Sequence, residues 1–368
     1  MAFKPVRTAI VGCGMIGTNG YLPRCLVYKS KLDMVGYFDQ DPARAEKCAS
    51  VAGGGKVYRS LDELLNDSTV EIVLNLTTGD AHYPVSLKAL RAGKNVYSEK
   101  PIAGSVREAT DLIETATEMK VMLACAPSAT LGYEQQLYTK RIRNGEIGKP
   151  FSCVGSFPAR VDAWHPNADV FLNAQPGAIG DAAPYPLTMM TTILGPVKRL
   201  YGWSPIAIPN RMIRVGPKAG KQFTVGVPDH GLVLLEFESE ARGLLFASWS
   251  AYSETPRFEV HGPDGLLAVN PHDDGRGIKK HTVEPGADYV LEQPAPKSYT
   301  GLDWGKGVVD LADAIRTGRK PRCQAEQARH VVEIAEATAE ATRTKMPVEM
   351  KTRFEPAELV GEVAPWDE

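Results

Sequence analysis

From residue 6 to about 125, short apolar runs alternate with segments of helical period. "TAIV", "LDMVGYF", "VEIVLNL", "NVYSEKP" and "VMLACAP" are rich in β-branched and aromatic residues, and between them lie amphipathic stretches such as "DPARAEKCASVA" and "YPVSLKALRAG". This alternation predicts βαβ units and a parallel sheet. "VEIVLNL" is nearly continuous in apolar residues, as a strand covered on both faces must be. Local signals agree. Pro42 stands in a first helical turn, Ser60 is an N-cap candidate before "LDELLND", and Gly93 is a natural C′ residue. A helix is expected from about Ser105 to Met119, and Pro23 is expected to bend or restart the first helix.

From about Phe151 the period shortens to two. "PFSCVGSFPARV", "VKRLYGWSPIAI", "MIRVG", "KQFTVGV", "HGLVLLEFES", "ARGLLFASWSAY", "RFEVHGPDGLLAVN" and "YVLEQ" read as strands of one large, mainly antiparallel sheet. One face is expected to be covered by "EQQLYTKRIRNG" and the segment after Pro186, the other by solvent or a second subunit, which makes the chain a homo-oligomer. Residues 325–344 predict an amphipathic helix with Glu326, Arg329, Glu333, Glu336 and Glu340 as a polar stripe. The helix is expected to pack back on the first domain. The reading is therefore a doubly wound α/β domain over residues 1–126, an α+β domain with an open sheet over 127–350, and a loosely docked tail over 351–368.

Length and charge narrow the picture. A chain of 368 residues exceeds one ordinary core. Lys+Arg is 42 against Asp+Glu 44, and no basic tract interleaves with aromatics, so nucleic acid and anionic membrane partners are disfavoured. No apolar run approaches ~18 residues. Six scattered Cys without a C-x-x-C pair predict reduced thiols and no metal site. "MAFKPVR" leads straight into the first strand, so no signal peptide is expected and a cytoplasmic location is.

The chemistry starts at "RTAIVGCGMIG". Gly12, Gly14 and Gly17 follow a strand in the G-x-G-x-x-G spacing, and Asp39 ends the next apolar run, 22 residues beyond Gly17. A tight turn at Gly12, an open approach at Gly14 and close helix packing at Gly17 suit a pyrophosphate, with Met15 and Ile16 beside it and Asp39 on a ribose. NAD is the expected cofactor because Asp39 repels a 2′-phosphate; Arg44 just beyond leaves NADP open. Three further strand-end loops face the same side: "TTGDAH", "SEKP" and "APSATLGY". Thr77, Thr78, His82, Glu99 and Lys100 are cofactor candidates on them; His82 either contacts the cofactor or bonds backbone at its helix start. Glu99–Lys100 is either a surface ion pair or a substrate-side donor whose lysine pKa is lowered by burial and by the nicotinamide.

The long loop "DAWHPNADVFLNAQPGAIGDAAPYPLT" holds Trp164, His165, Asn167, Asn173 and Gln175, and long loops in compact domains are often functional. Trp164 either stacks on a sugar or anchors the core; His165 either bonds a substrate hydroxyl or is a structural histidine. Asp181 and Tyr185, after Gly177 and Gly180, share a face if one helix holds both; Pro184 and Pro186 argue instead for a helix starting there with Asp181 as N-cap.

The motifs "GCGMIG", "FDQDPARA", "AGKNVYSEKPIA", "GEIGKP" and "PGAIGDAAPYPLT…ILG" together resemble the Gfo/Idh/MocA oxidoreductases, from about residue 6 to about 350. The resemblance implies an N-terminal Rossmann domain, a C-terminal α+β domain and self-association, as dimer or tetramer, through the open sheet. It also implies NAD(P)-dependent oxidation of a sugar, glycoside or polyol hydroxyl, or the reverse. Lys100 matches the catalytic lysine of the family, Asp181 its conserved carboxylate and Tyr185 its His/Tyr acid–base position. Trp164 and His165 would then join these three in binding substrate. Ala183, Thr188 and the Thr78-Gly79 pair depart from the family pattern, which bears on substrate choice and nicotinamide contacts. Two other classes remain: a NAD-dependent glycosidase working through transient sugar oxidation, and a non-catalytic NAD-binding sensor.

Overall fold

The computed structural model describes residues 4–173, 176–253, 257–273, 275–292 and 301–361. Gln175, Gln293 and the end of the tail from 362 lie outside them. The chain forms two compact units, one of residues up to Leu131 with Asp303–Arg329, the other of Gly132–Leu302 with the described residues from His330 onward.

In the first unit, β1 (Val6–Val11), β2 (Leu32–Phe38), β3 (Lys56–Val57), β4 (Ile72–Asn75), β5 (Asn95–Ser98) and β6 (Leu123–Cys125) make a parallel sheet in the order β3-β2-β1-β4-β5-β6. The order reverses between β1 and β4, the switch point at whose strand ends doubly wound sheets bind their ligands. Every residue of β4 is buried, in keeping with helices on both faces. The flanking helices are capped, Ser60 as predicted and Asp41 and Ser105 in addition. Asp41 accepts from the Ala43 N–H, Ser60 from Glu63 and Ser105 from Glu108, satisfying donors that a helix start leaves over. After the glycine turn, Ile16–Tyr21 winds as a π-helix and Leu22–Val27 restarts as an α-helix with Pro23 in its first turn. Pro23 has no N–H to continue the earlier ladder, so the restart falls there.

The second unit adds β7 (Ser152–Pro158), β8 (Val197–Trp203), β9 (Asn210–Met212), β10 (Gln222–Thr224), β11 (His230–Phe237), β12 (Arg242–Ser248), β13 (Arg257–Gly262), β14 (Gly265–Val269), β15 (Ile278–Thr282), β16 (Val290–Glu292) and β17 (Val348–Glu349). Nine of these form one sheet, β16-β15-β14-β13-β7-β12-β11-β8-β17, in which β7–β12 is the one parallel pair. The reading of a single sheet is corrected in one respect: β9 and β10 pair only with each other. Helices Tyr133–Arg143 and Pro184–Leu194 supply Tyr138, Ile142, Leu187, Met190 and Leu194 to a core shared with Leu200, Val233, Leu235, Leu245 and Phe258 from the strands. The alternate residues face the other way. Leu232 pairs with Trp203 and Leu234 with both Tyr201 and Leu244, and all five are exposed.

Helix Ala325–Thr344 has its first five residues in the first unit, while Ile334, Ala337 and Ala341 join the core of the second. Glu333 departs from the predicted polar stripe. It is buried, and its carboxylate accepts the backbone N–H groups of Lys351 and Thr352. With Arg143 donating to the Ala357 carbonyl and Val360 N–H to Gln136, the described part of the tail is anchored at several points rather than loosely docked.

Candidate active site

The three glycines of the first turn meet three different surroundings. Gly12 has φ +95°, and a Cβ there would lie 2.6 Å from the Leu76 carbonyl carbon; at Gly17 it would lie 2.5 Å from the Gly12 oxygen. At Gly14 it would meet nothing within 4 Å. The first and third glycines are thus required by the protein itself, and the second borders open space. The Cys13 N–H donates to Asp39 Oδ2 at 2.8 Å, and Asp39 Oδ1 accepts the Asp41 N–H at 2.9 Å. Asp39 therefore ties the end of β2 to the glycine turn. Met15 is exposed beside it, and Ile16 opens the π-helix. A turn so shaped, with open space at Gly14, fits a dinucleotide pyrophosphate.

Buried Asn75 organises the next strand end. It donates to the His82 carbonyl and to Ser86 and accepts the Thr77 hydroxyl at 2.7 Å, while Thr78 takes the N-cap position of helix Gly79–Arg91. His82 Nδ1 lies 2.7 Å from the Pro101 carbonyl and Nε2 3.1 Å from the Thr77 carbonyl. The ring, buried, thus bridges the two loops through backbone. Glu99 is also buried. Its carboxylate accepts the Tyr21 hydroxyl at 2.7 Å and the Lys100 N–H at 3.0 Å, fixing the backbone from which half-buried Lys100 projects.

In the second unit the single helix imagined for Asp181 and Tyr185 is two. Asp181 ends the short helix Gly177–Asp181, and Pro184–Leu194 starts afresh with Ala183, not Asp181, at the N-cap position. Pro184 and Pro186 both sit in the first turn, where a missing N–H is harmless, which is why the helix begins there. Tyr185 is half-buried and stacks on Phe157 (centroids 5.1 Å, planes 17° apart), with the edge contact of His272 at 4.6 Å. From Phe157 the rings continue to Trp249 at 6.2 Å and on to Trp164 at 6.5 Å. Trp164 is 51% exposed, so it is not a core anchor. His165 is buried against Phe171, and its Nδ1 accepts the Asn167 N–H at 3.1 Å. Burial pushes its pKa below the usual imidazole value, with Asp181 partly opposing. Asn173 donates to the Asp169 and Thr224 carbonyls, so it serves the loop itself.

Phe157, Trp249 and His272 escaped the sequence reading. Phe157 and Trp249 stand at strand ends in ordinary alternating runs, and His272 follows β14. Only the parallel register of β7 with β12, Phe157 opposite Ala247, brings the first two together. Beneath them, fully buried Arg211 donates to Asp162 Oδ1 at 2.8 Å, to the Trp249 carbonyl at 2.7 Å, and to Asp229 and Ser250. Charges out of water persist only when paired in this way. The cluster holds Trp249 and the turn bearing Trp164 in place.

A doubly wound sheet with this glycine turn, followed by a large open-sheet unit, is the architecture of a two-domain dinucleotide-binding oxidoreductase. Residues 6–126 match the model of an oxidoreductase family with a NAD-binding Rossmann fold, and residues 136–268 match the GFO/IDH/MocA C-terminal domain. The chain belongs to the GFO/IDH/MocA family. It is 31% identical over 146 residues to inositol 2-dehydrogenase/D-chiro-inositol 3-dehydrogenase of Lactiplantibacillus plantarum, covering 39% of this chain and 41% of that relative. The match thus spans about two fifths of that relative. With 1,5-anhydro-D-fructose reductase of Ensifer adhaerens the identity is 24% over 275 residues, 74% of this chain and 76% of the relative. The fold is that of levoglucosan dehydrogenase, solved with NADH and L-sorbose, at TM-score 0.82, 19% identity, and coverage of 94% and 99%. Among the described residues, no helix is long and apolar enough to cross a membrane.

Proposed function

We propose that this chain is a NAD-dependent dehydrogenase acting on a secondary hydroxyl of a sugar, glycoside or polyol. Tyr185 takes or returns the hydroxyl proton, Lys100 stabilises charge developing on the oxygen, and Asp181 orients the reacting groups. A phenol of free pKa ~10 works near neutrality only if its anion is favoured, and a lysine ammonium is the natural cause. NAD, when bound, supplies the hydride acceptor at its nicotinamide ring. Gly12, Gly14 and Gly17 with Met15 and Ile16 would hold its pyrophosphate and Asp39 its adenosine ribose. Thr77, Thr78, His82 and Glu99 shape the loops on the nicotinamide side.

The observation that carries the reading is Tyr185, fixed flat on Phe157 in a cluster of rings that ends in the open face of Trp164. Such a face suits the C–H side of a pyranose or cyclitol while polar groups meet its hydroxyls. The inositol dehydrogenase relative supports the same substrate class. NADH formation across a panel of aldoses, glycosides and cyclitols tests it. Turnover is expected with at least one, and is expected to fall in the Lys100→Met variant. Released aglycone without net NADH would instead favour the glycosidase chemistry. We also propose that copies of the chain associate through the apolar sheet face of Tyr201, Trp203, Leu232, Leu234 and Leu244.

A further inference from the structure

The loop after β14 is built more firmly than a strand connection needs. Asn270 Oδ1 accepts the backbone N–H groups of His272 at 2.8 Å and Asp273 at 3.1 Å. From the neighbouring helix, buried Gln135 donates through Nε2 to the carbonyls of Asn270 at 2.8 Å and Asp273 at 3.1 Å. The Asp273 carboxylate bonds His272 Nδ1. A carboxylate can only accept, so this contact requires Nδ1–H and fixes both tautomer and ring plane. Burial pushes the Asp273 carboxyl up, but the His272 bond and charge, with Arg276 nearby, outweigh it and hold it below the usual carboxylate range. The ring so fixed lies edge-on to Tyr185 at 4.6 Å and to Phe157 at 5.6 Å. Phe157 stacks on the phenol, and His272 packs against it at a steep angle, so the two rings together oppose a swing of the Tyr185 side chain about Cα–Cβ.

From this geometry we infer that His272 is a positioning residue for Tyr185: Asp273 and Asn270 fix the imidazole, and the imidazole with Phe157 fixes the phenol. The inference rests on the reading of Tyr185 as the proton-transferring group. Its physical content is orientation. A tyrosine side chain free to swing about Cα–Cβ holds its hydroxyl oxygen at the reacting position only part of the time, and misplacement of about 1 Å costs on the order of 10²-fold in rate. The clamp acts on kcat and leaves cofactor affinity alone, because none of its residues belongs to the dinucleotide-binding unit.

Two variants separate shape from mere stability. H272A removes the ring edge; H272F restores it without the Asp273 bond. With NAD saturating, H272A is expected to lower kcat roughly 10- to 100-fold with NAD affinity within about twofold of the parent, and H272F, which keeps the ring without its Asp273 bond, to recover part of that loss. Independently of turnover, the ring resonance of Tyr185 in 13C-tyrosine-labelled protein, assigned by its absence in Tyr185→Phe, is expected to move and broaden in H272A. An unmoved resonance, or kcat within twofold of the parent in H272A, or no rescue by phenylalanine, overturns the inference. If Lys100→Met and Tyr185→Phe turn over like the parent, the assignment of Tyr185 as the proton-transferring group fails, while the resonance still decides whether His272 clamps the ring.

Discussion

At the scale of single residues, Asp39 bears two demands on one carboxylate. It accepts the Cys13 and Asp41 N–H groups, which shapes the turn, and in the proposed cofactor pose its charge would meet whatever stands on the adenosine ribose. Arg44, the nearest candidate to receive a 2′-phosphate, is already paired with Asp41 at 3.4 Å. NAD is therefore expected to be preferred, and Asp39→Ser, which keeps a small acceptor and removes the charge, is expected to raise the NADP/NAD ratio of kcat/KM at least tenfold, a change of about 1.4 kcal/mol. Steady-state kinetics with both cofactors checks this; a parent that favours NADP contradicts it. Residues such as Gly12, Asp39 and Ser60 were legible in the sequence because their roles are local: a positive φ, a strand end, a helix cap. Phe157, Trp249 and His272 were not, because what brings them into one ring cluster with Tyr185 is strand register and a loop closed by Gln135, 135 residues away from its partner Asn270.

At the scale of elements, helix starts and strand order followed the local chemistry, and departures fall where proline or distant charge decides. Of the two readings open for Asp181 and Tyr185, the prolines decided for a helix that starts at Pro184, though with Ala183 and not Asp181 at its N-cap, and the backbone of Lys351 and Thr352 drew Glu333 out of its predicted polar stripe. A similar long-range device joins helix Tyr133–Arg143 to the sheet edge. Arg141 pairs bidentately with Glu146 at 2.6 Å and also bonds Glu292 of β16, while Lys280 of β15 reaches Glu146 at 2.8 Å. The Arg141 bonds, against the opposing effect of burial and with help from Lys280, lower the Glu146 carboxyl to a pKa of about 2. A carboxyl depressed in the folded state binds fewer protons there than when unfolded. Its stabilisation is thus full above the ordinary carboxyl pKa and is lost as pH falls from about 4.5 towards 2. Glu146→Gln is expected to cost on the order of 1–3 kcal/mol at pH 7, a Tm drop of roughly 2–10 °C, and the gap to the parent is expected to close across that acid window. Calorimetry at pH 7 and pH 3 measures both; an equal Tm gap at the two values contradicts the assignment.

At the scale of the whole molecule, the nine-stranded sheet is half a core. Its inner face is covered by helices Tyr133–Arg143 and Pro184–Leu194 together with Ile334, Ala337 and Ala341 of helix Ala325–Thr344, and its outer face carries Leu234 at 56% exposure amid Tyr201, Trp203, Leu232 and Leu244. An apolar patch of that kind on an open sheet is best covered by a copy of itself, since a two-fold axis lays identical strands against one another. Sedimentation of the purified chain is expected to show a dimer or larger, and Leu234→Arg, which buries a charge in any such contact, is expected to weaken association at least tenfold. A monomeric parent contradicts the proposal. Oligomer size was not legible in the sequence, because alternation marks which residues face outward and not what meets them.

The central claim is that Lys100 and Tyr185 serve proton and charge at a carbinol oxidised by NAD. Its most direct test is kcat of the parent and of Lys100→Met on the sugar or polyol that the panel identifies, with NAD saturating and its binding measured separately. A fall of about 10²- to 10⁴-fold in the variant, with NAD affinity retained, is expected. Turnover equal to the parent, with the cofactor bound equally well, would contradict it.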